Sequence, residues 1–598
     1  MATQPTNQPV PSESPRDLKF NAGKIDEFVT SMARQYIDRF GNAHYTIEGM
    51  RWIAQQAIAA FGYITLDSFE DGNTLTLPNQ VLRLESTGEY YRWDGAFPKV
   101  VPAGSTPEST GGIGTGAWLS VGDATLRGDL AKTTGAGIVG YKWKQSGSSV
   151  YRTLQDKLDD FVSVLDFGAK GDGVADDTSS LQAAITAAAG REVIFPPGTY
   201  IITDSLRIPS NTIVTILPGA TIKRGNSNVN GMIINDSDGT TGGYSANAQI
   251  TIRGGGAIDG NVNFISSSCT LIGFGHCNRV LVDNIRLLNI GGRWHAIEFN
   301  STKHGIARNV YIEKNGLPGD GGGEAIQLDH AGNSGKFPWF GPYDNTACYD
   351  ITIESCEIHG VGCGVGGHDP SGVNKHFNIK IVNNIIFSNN YGIKTQGWSN
   401  VIITGNRIEQ EDNVNYTGLA AIYCQYNTEG LYNSDLLISG NTIYRWFPST
   451  SGNVGTSWRG IYFLGKSNDI SMLRNIVVEG NRIYECGGHL IVFDHVMNAV
   501  CTSNYVGMHT DTEFTRYGIY QFGSKNLTIT GNIVEGYVYL GGGTDTTHQK
   551  VVCTGNSIGG DLLVTQGNLV GVVAHNSVGG APAEVDTSTL LISKNIVA

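Results

Sequence analysis

At 598 residues the chain is too long for one compact globule, so it divides into two or three domains or runs on as one repetitive one. Its 80 glycines are about 13% of the residues against a usual ~7%, and with 18 prolines and no G-X-Y period they exclude collagen and imply many turns between many strands. A net charge of −13 with no Lys/Arg-rich run argues against nucleic acid as a partner, and no run of ~18 apolar residues exists to span a membrane.

The first twenty residues lack an apolar stretch, so no signal peptide is expected, and residues 1–18 read as a polar, flexible tail. From Lys24 to Phe40, Ile25, Phe28, Val29, Met32, Tyr36, Ile37 and Phe40 recur at helical spacing, and a second helix is predicted from Thr46 to Gly62. Short alternating runs follow, "TLTLPNQVLRL" and "EYYRWDG", which make residues 19–122 a small α+β domain. Residues 123–162 hold a Gly/Ser-rich linker and a short helix, "TLQDKLDDF". Within "VLDFGAKGDGVADDTSSLQAAITAAAG", Asp176, Asp177 and Thr178 offer N-cap oxygens to an alanine-rich helix that Gly190 closes; the strand "EVIFPPGTYII" comes next.

Beyond it lies a degenerate repeat. One limb reads "ITGNRI" from Ile403, and recurs as "ISGNTI", "VEGNRI", "ITGNIV", "CTGNSI", "VAHNSV" and "ISKNIV". Its asparagines, Asn532, Asn556, Asn576 and Asn595 among them, suit one solenoid coil each, and a structural role in coil-to-coil bonding is expected of them. The second limb, as in "HAIEFN" and "EAIQLD", predicts an interior isoleucine column beside an exterior column of Glu298, Gln327, Lys394, Tyr423, Tyr462, Val492 and Tyr520. The nine cysteines lie between Cys269 and Cys553 with no CxxC pair, so buried thiols are expected rather than disulfides. His295, His330, His368 and His495 show no metal spacing, and neither metal nor cofactor is expected.

Glycosidic cleavage needs an acid to protonate the leaving oxygen and a carboxylate to activate water or attack. If Ile297 and Ile326 stack in adjacent coils, Glu298 and Asp329 face outward across a diagonal of about 8 Å, inside the roughly 6.5–9.5 Å range of inverting pairs. Aromatic faces stack on sugars, and the loops from Asn315 to Trp458 carry Phe337, Trp339, Trp398, Phe447 and Trp458. An outward Glu, Gln, Lys and Tyr face suits a carbohydrate, though a solvated sheet looks similar.

The pattern "DFGAKGDGVADDTSSLQAAI" resembles the start of pectate-lyase-like right-handed β-helices, especially those of bacteriophage tailspikes, and the N-terminal "NAGKIDEFVTSMARQYIDRFGNAHYTIEGMRW" is similar to virion-attachment regions. The resemblance implies a mainly β protein: a right-handed parallel β-helix over residues 163–598, carrying the chemistry, behind a small α+β attachment domain. It further implies a homotrimer on a phage tail or another spike. Its target is a bacterial capsular polysaccharide or O-antigen, with no nucleic acid and no membrane insertion. Polygalacturonases share this fold, and their motif positions fall on His295, Glu324 and Lys394, with Cys363 or His368 near the place of a GHG motif. Catalytic candidates are therefore Glu298, Glu324 and Asp329; substrate-binding candidates are Trp294, His295, Trp339, Lys394, Trp398, Tyr423 and Trp458. Hydrolysis leads. A lyase with Lys394 or Tyr423 as base, and a spike that only binds its receptor, are the alternatives.

Overall fold

The computed structural model describes residues 4–53, 62–121, 126, 129–143, 149–290, 294–314, 323–334, 338–367, 374–411, 420–426, 432–446, 458–508, 515–543, 549–565, 569–580, 590–593 and 595–597. The chain forms two compact units, Met1–Asp160 and Phe161–Ala598.

In the first unit a helix spans Pro15–Thr30, opened by a proline whose missing N–H costs nothing there. Asp17 ties the preceding segment to it, accepting bonds from Thr6 Oγ1 at 2.5 Å, Ser12 Oγ at 2.6 Å and Arg39 Nη1 at 2.7 Å. The periodicity that predicts helix to Phe40 is overridden at Ser31, which is extended. The chain then makes a hairpin of Gln35–Ile37 with Ala43–Tyr45, and Tyr36 still reaches Phe28, at 6.1 Å between rings. A second helix does begin at residue 47; its described part ends at 53, and its N-terminal Gly49 N–H is capped by Thr46 Oγ1. A mixed four-stranded sheet (Ile64–Ser68, Gln80–Arg83, Tyr90–Trp93, Trp118–Ser120) then closes over Phe69, Leu75, Leu82 and Trp118.

In the second unit the short strands Val162–Ser163 and Asp172–Asp176 precede the helix Thr178–Ala187, which buries Leu181, Ala184 and Ile185. Asp177 holds the N-cap position, yet its carboxylate takes the Lys170 and Gly171 amides, and Asp176 binds Thr178 N. The expected single strand "EVIFPPGTYII" breaks at Pro196–Pro197, which cannot donate to a ladder. Glu192–Phe195 joins one sheet and Gly198–Ile202 another. From here every coil adds strands in parallel, giving a parallel β-helix with sheets of 16 and 27 strands among the described residues.

The register carries the interior column from Ile272 through Ile297, Ile326, Val365, Ile393, Ile422, Ile461 and Ile491 to Ile519. Each is fully buried, worth about 1.5–3 kcal/mol relative to exposure. At the corner of each later coil an asparagine points inward. Asn441 Oδ1 accepts from Asn406 N at 3.0 Å and Asn406 Nδ2 at 2.9 Å, while Asn441 donates to Asn481 Oδ1 and to Ile403 O. The ladder also includes Asn384 and Asn504, which the sequence motif does not pick out. The residue before each asparagine sits in left-handed backbone, with φ of 67° at Gly405 and 61° at Gly440, which explains the "GN" of the repeat. All nine cysteines are buried free thiols.

Candidate active site

Coil stacking assembles the site. Glu298, Gln327, Gly366 and Lys394 occupy one outward column on successive strands, and Tyr423, Tyr462, Val492 and Tyr520 continue it. Asp329 stands two residues beyond Gln327, opposite Asn300. Glu324 is level with Cys363, but a side chain at 366 would meet Glu324 Cγ at 3.0 Å and Lys394 Cβ at 3.5 Å. Glycine at 366 therefore leaves the space into which Glu324 turns, and the fold brings Glu298, Glu324, Asp329 and Lys394 to one patch.

The carboxyl groups differ in surroundings. Glu298 is only 2% exposed, receives Thr270 Oγ1 at 3.3 Å on Oε2, and has no hydrogen-bond partner for Oε1 among the described residues. Burial first, and the charge of Asp329 second, push its pKa well above the usual carboxylate range. Asp329 accepts from Gln327 Nε2 at 3.0 Å and from His330 N at 2.8 Å, with His330 Nδ1 2.9 Å from Oδ1. Behind them burial lowers the His376 pKa to about 4, and its Nδ1 accepts the Cys348 amide at 2.9 Å. His295 Nδ1 lies 2.8 Å from the Glu324 carbonyl oxygen, which fixes the proton on that nitrogen, and 3.9 Å from Glu324 Oε2. Burial and the neighbouring Glu324 push the Cys363 thiol up, away from nucleophilic use.

Two of the expected tryptophans make a wall beside Glu298. Trp294 and Trp339 meet edge to face at 5.4 Å, and Trp339 Nε1 donates to Asn230 Oδ1 at 2.8 Å. The Trp339 ring lies over Gly231, whose register partner is Thr270, the donor to Glu298. Next to it Phe340 rests on Gly275, where a Cβ would fall 2.2 Å from the ring. His276 anchors the segment: Nδ1 lies 2.9 Å from Gly243 O and Nε2 2.8 Å from Pro342 O.

Other expectations are corrected. Trp398 and Trp458 are core residues and turn no face outward. The exterior column is not a solvated face: Tyr423 is 5% exposed, sandwiched between Tyr391 and Tyr462 at 5.3 Å on each side. Burial also pushes its phenol up, against use as a base. Lys394 is half-buried at the end of this stack, 5.6 Å above the Tyr391 ring. Phe337, His368 and Phe447 lie outside the described residues. Thr270 and His276 escaped sequence reasoning, because no local motif marks a residue whose partners lie 28 to 66 positions away.

Comparison with known proteins agrees with both halves. Residues 56–123 match a tail spike TSP1/Gp66 receptor-binding N-terminal domain, and residues 161–420 match the rhamnogalacturonase A/epimerase, pectate-lyase-like family. The first match falls within the first compact unit and the second within the second. It is 28% identical over 378 residues to plasmin and fibronectin-binding protein A of Streptococcus pneumoniae, covering 54% of this chain and 51% of that protein. It is 36% identical over 158 residues to a KL64-capsule-specific depolymerase of Klebsiella phage P510, covering 26% of this chain and 15% of that protein. Tailspike protein 3 of bacteriophage CBA120 superposes with a TM-score of 0.46 at 18% identity, covering 96% of this chain and 89% of that one. The chain thus spans about half or less of the length of these curated relatives.

Proposed function

We propose that this chain is a phage tailspike, a homotrimer mounted on the virion through its N-terminal unit, that depolymerises a bacterial capsular polysaccharide or O-antigen. The reaction is endo-glycosidic hydrolysis. The observation that carries it is the raised proton affinity of Glu298 one strand and two residues from Asp329, because a carboxyl group that keeps its proton beside a second carboxyl group suits a general acid paired with a base. Glu298 protonates the departing oxygen, and Asp329, oriented by Gln327 and His330, activates water. Glu324 and Lys394 contact the sugar beside the cleaved bond, and Trp294 and Trp339 take a ring. His295 holds Glu324 through its backbone. Both Glu298 and Asp329 are shielded from bulk water, so the reading requires side chains above them to part when polymer binds.

That shielding, with the long match to a streptococcal binding protein, favours a second reading: a spike that binds its receptor without cutting it. The test is product analysis on a panel of typed capsules with wild type, Glu298→Gln, Glu324→Gln and Asp329→Asn. Oligosaccharides from wild type, lost in Glu298→Gln and Asp329→Asn while polymer binding persists, support hydrolysis at this pair. Full activity in all three variants refutes the site. Unsaturated products absorbing in the ultraviolet indicate a lyase, and no products from a bound polymer indicate the receptor-only spike.

A further inference from the structure

Round the corner from the acid pair lies a surface that the proposed chemistry does not use. Lys303 follows Asn300, the register partner of Asp329, by three residues and opens the strand Lys303–Arg308 of the 16-stranded sheet. From Lys303 the register climbs through Tyr349, Phe377, Ser399 and Ser434 to Arg474, five strand steps of ~4.8 Å, or about 24 Å. Three rings on this strip stand open to solvent: Tyr349 at 36%, Phe377 at 38%, and Tyr432, two residues before Ser434, at 38%. Tyr349 and Phe377 stack at 5.6 Å with 17° between their planes, and Lys303 Nζ lies 5.1 Å from the Tyr349 ring. Aromatic rings grouped in water, unlike single ones, mark a contact surface.

The cations show what kind of contact. One cation on a ring is ordinary packing. Here Lys375 Nζ, at 4.5 Å, and Arg474 Cζ, at 4.1 Å, share the one Tyr432 ring. Two like charges are thus held within about 9 Å, inside the ~10 Å over which exposed charges act at 0.1 M salt. Among the described residues none of Lys303, Lys375 and Arg474 has an ion-pair partner. The two acids of the adjoining column are engaged by other donors. Asp350 accepts from Asn378 Nδ2 at 2.6 Å and meets His304 Nδ1 at 2.5 Å; Asp435 accepts from Asn475 Nδ2 and Ser434 Oγ, each at 2.9 Å. An anion between Lys375 and Arg474 relieves their repulsion.

We infer that this strip binds an acidic sugar chain, whose rings pack against Tyr349, Phe377 and Tyr432 while a carboxylate sits between Lys375 and Arg474. It rests on the polysaccharide reading of the proposed function and not on cleavage by Glu298 and Asp329. Aromatic faces suit the apolar faces of sugar rings, and a planar guanidinium beside an ammonium suits a carboxylate. Sugar is favoured over nucleic acid because the net charge of −13 repels a densely charged polyanion at long range, whereas a sugar chain carries its charges farther apart.

Calorimetric titration of the full-length protein tests this, with oligogalacturonate, the same chain after carboxyl reduction, and oligo(dT) as probes at two salt concentrations. Wild type is expected to bind oligogalacturonate, less tightly at the higher salt, and the reduced chain about tenfold more weakly or worse. Lys375→Ser/Arg474→Ser should lose about tenfold or more in affinity for oligogalacturonate, the scale of a lost charged hydrogen bond. Lys550→Ser, at an exposed cation on the same sheet, should change it less than about twofold. The strip is overturned by a double variant that binds like wild type, by equal binding of the reduced chain, by tighter binding of oligo(dT), or by a wild type that ignores oligogalacturonate. If circular dichroism shows the double variant unfolded, Lys375→Gln, which precedes the strand His376–Val382, is titrated instead, and wild-type affinity in it overturns the strip. Capsule products are read in parallel. Cleavage by wild type with an unchanged double variant sinks the strip alone. A double variant that loses oligogalacturonate, with no cleavage by wild type, sinks the hydrolase reading alone.

Discussion

Replacing Asn441 by alanine isolates what holds one coil to the next. The substitution strips the acceptor from two donors, Asn406 N and Nδ2, and the donor from Ile403 O, all three in the buried corner. The Asn441 backbone amide keeps its bond to Asn481 Oδ1. At the low end of the roughly 1–3 kcal/mol cost of each buried group left unsatisfied, the loss is about 3 kcal/mol. In native-state hydrogen exchange that is a fall in protection of the Asn406 amide on the order of 100-fold, at 1.36 kcal/mol for each factor of ten. Asn498→Gly is the control. Asn498 makes the same coil-to-coil bond on the exposed exterior ladder, where water replaces it, and its φ of 56° suits glycine. It should change protection less than about threefold, in keeping with surface substitutions within ~0.5 kcal/mol. If Asn441→Ala loosens its coil no more than Asn498→Gly loosens its own, burial is not what gives the interior ladder its strength.

The remaining predictions concern the site and the core. Glu298 binds its proton more tightly folded than unfolded, so its contribution to stability is complete below the unfolded value of about 4.3 and is lost as pH rises through the folded one. Glu298→Gln should abolish that slope in urea titrations at successive pH values; an unchanged slope contradicts the raised pKa. Gly275→Ala puts a methyl 2.2 Å from Phe340 and should displace the wall, seen as a shift in tryptophan emission with a higher KM; unchanged values of both mean that Phe340 does not position Trp339. Gln521 lies in an interior column between Phe493 and Leu540 with neither amide atom hydrogen-bonded among the described residues. Gln521→Leu should stabilise the β-helix by about 1–3 kcal/mol, and a lower melting temperature refutes this. Asp17, with its pKa lowered to about 2 chiefly by the Ser12 and Thr6 hydroxyls, stabilises the first unit above pH ~4 and loses that effect as pH falls through about 2. Asp17→Asn should flatten that acid limb in a melt of the full chain, and an equally steep one rules out Asp17 as its source.

Much of the fold was legible because a solenoid repeats one local problem. The "GN" corner needs left-handed backbone followed by an inward amide, and the isoleucine two strands on fills the interior. Those two constraints set the register that brings Glu298 level with Gln327. What the residues alone could not give is depth. Tyr423 reads as a surface aromatic because it alternates with the interior Ile422, and Trp398 because it lies in a polar stretch, yet the stacked Tyr391 and Tyr462 and the packed coil interior enclose them. The wall was hidden for a related reason: the Trp339 bond to Asn230 closes a loop of 109 residues, and no spacing rule reaches that far. The helix expected across Ser31 failed because its apolar period is equally served by Tyr36 folding back in a hairpin.

The most direct test of the central claim is the anomeric configuration of the reducing ends that wild-type protein releases from its capsule, followed by proton NMR before mutarotation. A pair whose Cα positions are separated by one strand and two residues, about 8 Å, leaves room for a water between the carboxyl groups and predicts inversion. Retained configuration, or an unsaturated sugar at the new end, would contradict the assignment of Glu298 and Asp329 as acid and base.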